Sequence, residues 1–329
     1  MRRWSAVVVL VGVVVAGCGG DNGDIRGAGG ADDGFAPIRV VASFYPIAEA
    51  AARVGGDRVD VTNVTPAGSE PHDLELTTAQ VDQLEDADLV VYLGKGFQPA
   101  VEAVAERRDG PVVDLLAELP VGEGAIEALE LEEGHGGEGE DEGHAEEGGE
   151  GHGEMVDPHY WLNPMLQSRA AGVIASELSK LAEGDAATFA ANLERYQAAL
   201  ATLDREFETG LSGCARDQMV TSHAAFFYLA DRYELTQLPI AGLSPEAEPD
   251  AQRIAELTTL ITDRGITTVF YETLASPAVA ETLAREAGAT AAVLDPIEGL
   301  SEQALAAGQD YAGVMRKNLA ALRSALGCP

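Results

Sequence analysis

The sequence predicts an α/β protein of two lobes, each with a mainly parallel sheet flanked by helices, joined by one long rigid linker helix. Three observations carry this expectation. From Ile38 onward, short apolar runs rich in β-branched residues alternate with segments of helical periodicity. The same rhythm returns from Gln218 to the C-terminus. Between the two halves, Ala186 to about Leu211 contains no Gly or Pro before Gly210, and Phe189, Leu193, Tyr196, Leu200, Leu203 and Phe207 recur at helical spacing. A helix of ~26 residues is about 39 Å long, enough to span a lobe.

In the first half, Ile38–Ser43 reads as a buried strand, and Tyr45-Pro46 opens a helix that Gly55-Gly56 stops. Arg58–Val64, Leu89–Leu93 and Pro111–Asp114 are further strands. Thr78–Glu85 and Gln98–Arg107 are helices. Asn163-Pro164 punctuates the entry to a helix over Leu166–Leu181, and Gly184-Asp185 separates it from the long one. In the second half the expected strands are Gln218–Thr221, Leu235–Ala241, Thr267–Tyr271 and Thr290–Leu294. The expected helices are Ala224–Tyr233, Asp250–Asp263, Pro277–Ala287 and Glu302–Leu326.

These signals divide the 329 residues into a leader (1–17), a tether (18–36), an N-terminal lobe (37–184), a linker helix (185–211) and a C-terminal lobe (212–329). Arg2 and Arg3 precede an apolar stretch, Ala6–Ala16, that is too short to span a bilayer. It ends in Val15-Ala16-Gly17-Cys18, which resembles a lipobox, so Cys18 is expected to carry a lipid that anchors the chain outside the cytoplasm. The remaining cysteines, Cys214 and Cys328, are expected to pair in an exported protein. The formal net charge of −34 excludes nucleic acid as a partner, which needs clustered Lys and Arg, and suits a protein that attracts cations. Thirteen acids and no base lie between Glu123 and Glu154, among glycines and three of the six histidines: His135, His144 and His152. That segment has no periodicity and reads as a disordered loop able to collect metal weakly.

The other histidines are His72, in the Pro-Gly-rich loop after the second strand, His159, in Asp157-Pro158-His159-Tyr160-Trp161, and His223, directly after Gln218–Thr221. Asp295 directly follows Thr290–Leu294. In parallel sheets the carboxyl ends of strands form the binding edge, so these side chains are expected to meet in the cleft between lobes. Three imidazoles and a carboxylate suit tetrahedral Zn²⁺, whereas Mg²⁺ or Ca²⁺ takes mostly oxygen. Glu70 is the alternative carboxylate. Ser222 is expected to cap a helix whose dipole keeps His223 neutral. Tyr160 and Trp161 read as packing around the site.

Five separated segments carry a resemblance to a known family: Gly68-Ser69-Glu70-Pro71-His72-Asp73, Asp157-Pro158-His159-Tyr160-Trp161-Leu162, Thr221-Ser222-His223, Val269-Phe270-Tyr271-Glu272 and Leu294-Asp295-Pro296. In order and spacing the chain resembles the metal-binding (ZnuA/TroA-like) lipoproteins of zinc/manganese ABC importers, from Ile38 to the C-terminus. The resemblance implies a metal held between two α/β lobes by His72, His159, His223 and Asp295, and an ABC permease with its ATPase as partner. Manganese-specific relatives typically carry Glu where this chain has His223. Zinc-specific relatives carry His there, and often an acidic His-rich loop. The chain departs from the pattern at Asn163 and Ala224, where relatives often have Asp.

The expected function is therefore a Zn²⁺ receptor, with a manganese receptor as the alternative, and not an enzyme. A zinc hydrolase is the reading from another class. Against it, the chain has no H-E-x-x-H pair, and Glu70 is its one candidate base.

Overall fold

The computed structural model describes residues 36–121, 156–246 and 249–329. Its first sheet is formed by β1 (Ile38–Ala42), β2 (Val59–Asn63), β3 (Leu89–Tyr92) and β4 (Val112–Asp114), in the order β2-β1-β3-β4 and parallel throughout. The second is formed by β5 (Gln218–Thr221), β6 (Thr236–Pro239), β7 (Thr268–Tyr271) and β8 (Thr290–Val293), in the order β6-β5-β7-β8 and again parallel. The two halves thus repeat one topology, as the recurring rhythm of the sequence implies.

Strand alternation explains how each sheet is covered. Val40 and Ala42 of β1, with Leu89 and Val91 of β3, face the main core, while Val41, Val90 and Tyr92 face a smaller cluster with Leu84 and Val101. Leu84 belongs to α2 (Thr78–Asp86), which opens on a capping box between Thr77 and Gln80. Val101 belongs to α3 (Pro99–Ala105). Helices α1 (Tyr45–Gly55) and α5 (Pro164–Leu181) close the inner face, each opening on a proline. A short α4 (Leu115–Glu118), not expected from the sequence, follows β4 directly, with Asp114 as its cap.

The long helix α6 (Ala186–Gly210) buries Phe189, Tyr196, Leu200, Leu203 and Phe207 along one stripe. Its Asn192 Nδ2 donates to the Val54 carbonyl of α1 (2.8 Å). Near its other end, Asp204 accepts from Arg232 Nε (2.9 Å) and Tyr233 Oη (3.0 Å) in the second half. One continuous core runs from Val40 and Phe44 through Trp161, Phe189 and Phe207 to Phe226, Phe270 and Tyr311. The helix is thus packed into both halves rather than standing free between them, which restrains large rotations of one half against the other.

In the second half, α7 (Phe227–Arg232) begins three residues later than expected. Next come α8 (Ala251–Arg264) and α9 (Ala278–Ala287), which end on left-handed Gly265 and Gly288. The single helix expected over Glu302–Leu326 is two, α10 (Glu302–Ala306) and α11 (Tyr311–Leu326). Gly308 turns the chain at φ 72° and Asp310 caps the second through Gly313 N (2.8 Å). Cys214 and Cys328 form a disulfide. Among the described residues no helix is long and apolar enough to cross a membrane.

Candidate metal centre

His72 lies in the loop after β2. Glu70 shapes this turn by accepting from the backbone N–H groups of His72 (3.0 Å) and Asp73 (3.3 Å). Phe97 meets the His72 ring edge-on, with centroids 4.6 Å apart. His159 is buried, and Asp157 accepts from both its backbone N–H (2.9 Å) and its Nδ1 (2.6 Å). His223 leaves the end of β5, where Gln237 Nε2 holds its carbonyl (2.8 Å) and Glu272, at the end of β7, binds its Nδ1 (2.6 Å). Asp157 and Glu272 therefore fix the tautomer and aim of two rings, so that both Nε2 atoms point inward. The departures at Asn163 and Ala224 leave this orientation intact. Asn163 instead caps α5, through Met165 N (2.9 Å).

The three Nε2 atoms converge on one oxygen of Glu298, which stands 3.1 Å from His159, 3.3 Å from His223 and 3.5 Å from His72. His159 and His223 are 3.3 Å apart at Nε2. Among the described residues, His72, His159, His223 and Glu298 form the group whose ligand atoms lie within 4.8 Å of one another. A tetrahedron with metal–ligand bonds of ~2.0–2.1 Å has edges of about 3.3–3.4 Å, and the two 3.3 Å separations match it, with the 3.1 and 3.5 Å ones lying on either side. His72 Nε2 is buried without a hydrogen-bond partner, as expected of an atom reserved for a ligand.

Asp295 is not in this group, contrary to the expectation from the sequence. Its Oδ1 accepts from Ile297 N (2.8 Å) and its Oδ2 from Thr273 Oγ1 (3.0 Å). Glu298, three residues further, takes the carboxylate position because the chain reverses at Ile297, whose φ is 58°. Glu70 also stays outside the group; its nearer oxygen is 3.8 Å from His72 Nε2. A signal for Glu298 existed in Pro296-Ile297-Glu298-Gly299, a second acid in the same loop, but sequence order favoured the residue nearest the strand. His135, His144, His152 and Cys18 lie outside the described residues. Trp161 packs edge-on against Phe44 (4.7 Å) and tilted against His159 (5.1 Å), as a wall of the site and not a member of the group.

The electrostatics differ from expectation at His223. Ser222 Oγ donates to the Phe270 carbonyl (3.2 Å) instead of capping a helix, and α7 starts only at Phe227. The helix that follows therefore opens beyond the ring and not at it. Burial pulls the imidazole down, but Glu272 and Glu298 outweigh it and hold His223 raised to about 10. His159 is likewise lowered by burial and raised more strongly by Asp157 and Glu298. Burial raises the Glu298 carboxyl, and the three imidazoles overcome this and keep it well below the usual carboxylate range. The buried carboxylates thus favour protons on His159 and His223. A divalent cation would replace those protons.

This charge balance gives a prediction for the metal-free fold. A histidine raised above its unfolded value of ~6.5 contributes stability that is complete below that pH and is lost as pH climbs toward its folded value, about 10 for His223. Glu298, depressed, contributes above the unfolded carboxylate value of ~4.3 and loses it in acid. Chelator-treated protein should therefore melt highest between about pH 4.5 and 6.5 and lose stability toward pH 10. In His223→Gln the alkaline loss should shrink. A melting temperature that climbs from pH 6.5 to 9 in the wild type would contradict the protonated arrangement.

Fold and site together define a two-lobed α/β binding-protein scaffold with a three-histidine, one-glutamate quartet at the carboxyl ends of its strands. The chain belongs to the family described as zinc-uptake complex component A, periplasmic (ZnuA), which matches residues 40–325. It is 33% identical over 328 residues to the high-affinity zinc uptake system protein ZnuA of Bacillus subtilis, covering 99% of this chain and 98% of that protein. It is 39% identical over 290 residues to the zinc-binding protein AdcA of Streptococcus pyogenes, covering 87% of this chain and 55% of AdcA. The chain thus spans about half the length of the streptococcal relatives it matches. The crystal structure of the Zn(II)-bound ZnuA-like domain of Streptococcus pneumoniae AdcA superposes with a TM-score of 0.71 at 32% identity, covering 88% of this chain and 99% of that one.

Proposed function

We propose that this protein is an extracytoplasmic receptor that binds one Zn²⁺ through His72, His159, His223 and Glu298 and delivers it to an ABC permease driven by its ATPase. The observation that carries this reading is the spacing of the quartet: three Nε2 atoms at 3.1, 3.3 and 3.5 Å from one carboxylate oxygen. A set of three nitrogens and one oxygen favours zinc over manganese, whose sites are richer in oxygen. The zinc-binding names of the relatives support the same ion. The protein performs no reaction in this reading, because the fourth position that a zinc hydrolase keeps for water is taken by Glu298.

Delivery to a membrane permease fits a lipid on Cys18, with Gly19–Gly34 as the tether to the bilayer. The acidic loop with His135, His144 and His152 serves in this reading as a tethered collector. A Gly-rich random coil of ~32 residues spans about 30 Å r.m.s., the reach that such a collector needs.

Zinc titration against a competing chelator, on wild type and on a variant lacking Glu132–Glu154, tests both parts. The wild type should bind one equivalent tightly and further equivalents weakly. The deletion should keep the tight equivalent and lose the weak ones. Absence of a tight equivalent in the wild type would overturn the receptor reading, and its loss in the deletion would make the loop a primary ligand source.

A further inference from the structure

Glu298 sits on a turn that its own sequence does not favour. Ile297 has φ 58°, a left-handed conformation that β-branched residues rarely adopt, and its side chain is fully buried. Such a turn persists only where its surroundings over-determine it. Asp295 is the centre of those surroundings. Its Oδ1 accepts from Ile297 N (2.8 Å), closing the turn from inside. Its own backbone is clamped at two points by the buried Asn318 of α11, whose Oδ1 accepts from Asp295 N (2.9 Å) and whose Nδ2 donates to Asp295 O (2.7 Å). Thr273 Oγ1 fixes the second carboxylate oxygen (3.0 Å).

The rest of the turn is tied to the loops that carry two other ligands. Trp161 Nε1 donates to the Pro296 carbonyl (2.7 Å), two residues after His159 and two before Glu298. Tyr311 Oη in turn holds the Trp161 carbonyl (2.6 Å). Gly68 N, in the His72 loop, donates to the Leu300 carbonyl (3.0 Å). Behind the turn, Gly299, Leu300 and Ser301 line a cavity of ≈ 480 Å³ together with Asp295 and Asn318. Ile297 and Leu300 anchor the turn in the core from the other side, and on the cavity side its hydrogen bonds fix the backbone.

We propose that Asp295 is a positioning residue: gripped by Asn318 and Thr273, it forces the left-handed turn at Ile297 that delivers the Glu298 carboxylate to the three imidazoles. The role rests on the receptor reading for its consequence, zinc retention, but not for its structural content. Losing the grip frees the turn to move into the cavity behind it, so the ion leaves faster while it still arrives at the three histidines.

Two measurements on Asp295→Ala and Asp295→Asn test this. The first is hydrogen–deuterium exchange of the 294–301 amides in metal-free protein. The second is zinc affinity and dissociation rate by chelator competition. Asn keeps an oxygen for Ile297 N and an amide for Thr273 Oγ1, but it is not an anionic ligand. The expected result is faster exchange across the turn and a 10–100-fold affinity loss in Asp295→Ala, of the size seen for outer-shell partners and mainly in dissociation. Asp295→Asn should restore both to within about threefold. Equal losses in Ala and Asn would overturn the proposal in favour of a direct ligand, and unchanged exchange in Asp295→Ala would overturn it outright. If Asp295→Ala does not fold, Thr273→Val supplies the loosened turn and Asp295→Asn still separates ligand from positioner. A wild type that shows this exchange pattern but binds no zinc tightly would defeat the receptor reading and leave the positioning role standing.

Discussion

Replacing Glu298 with Ala should weaken zinc binding by about 100-fold or more without abolishing it. Outer-shell partners of metal ligands contribute about 10–100-fold each, and a direct anionic ligand contributes more. Binding survives because three histidines and a water still make a tetrahedral zinc site. The variant should also lose part of its competition with protons, since Glu298 helps to raise both His159 and His223. Its zinc affinity should therefore depend less steeply on pH than that of the wild type. Glu298→Gln keeps the volume and removes the charge, and it should behave similarly if charge is what matters. Chelator competition between pH 6 and 9 measures both effects. Wild-type affinity in Glu298→Ala would exclude it as a ligand and return the fourth position to Asp295 or Glu70.

Removing the disulfide should have the largest effect on stability. Cys214 and Cys328 are 114 residues apart, so the bond closes nearly the whole second half of the chain. Loop-closure entropy for ~100 residues corresponds to about 4.7 kcal/mol, and native disulfides removed from small secreted domains typically cost 2–5 kcal/mol. The tail has other ties, which argue for the lower part of that range: Arg216 N donates to Leu326 O (3.0 Å) and Ala215 N to Gly327 O (3.4 Å). For a chain of this size about 2–4 kcal/mol means a fall in melting temperature of ~5–10 °C. The Cys214→Ser/Cys328→Ser double variant should show that fall in thermal melts while keeping its tight zinc equivalent, since neither cysteine belongs to the ligand quartet. An unchanged melting temperature would mean that the backbone ties alone secure the tail.

Between these two predictions lies a difference in what local pattern can reveal. The strands β1, β3 and β5, the long helix and the loop positions of His72, His159 and His223 were legible because each depends on its own neighbours. Val and Ile runs make buried strands, Gly and Pro stop helices, and a histidine after a strand stands at the binding edge. Even Asp157, two residues before His159, was within reach as the ring's partner. Glu272 has no legible role in its own segment, because the ring it orients follows β5 and the carboxylate follows β7.

Local pattern accounts for two parallel α/β halves, a long helix between them and the places of the three histidines in their loops. Which carboxylate stands among the three Nε2 atoms, and the raised proton affinity of His159 and His223, come from tertiary contacts. The physical reason is the same in both cases. Glu298 is aimed by a left-handed Ile297, and that conformation is held by Asn318, Thr273 and Trp161, which are far away in the chain. His223 is raised by carboxylates 49 and 75 residues away that the fold brings to 2.6 and 3.3 Å. Local preference points a β-branched residue away from that turn and a strand-end histidine toward neutrality, and long-range contacts overrule both.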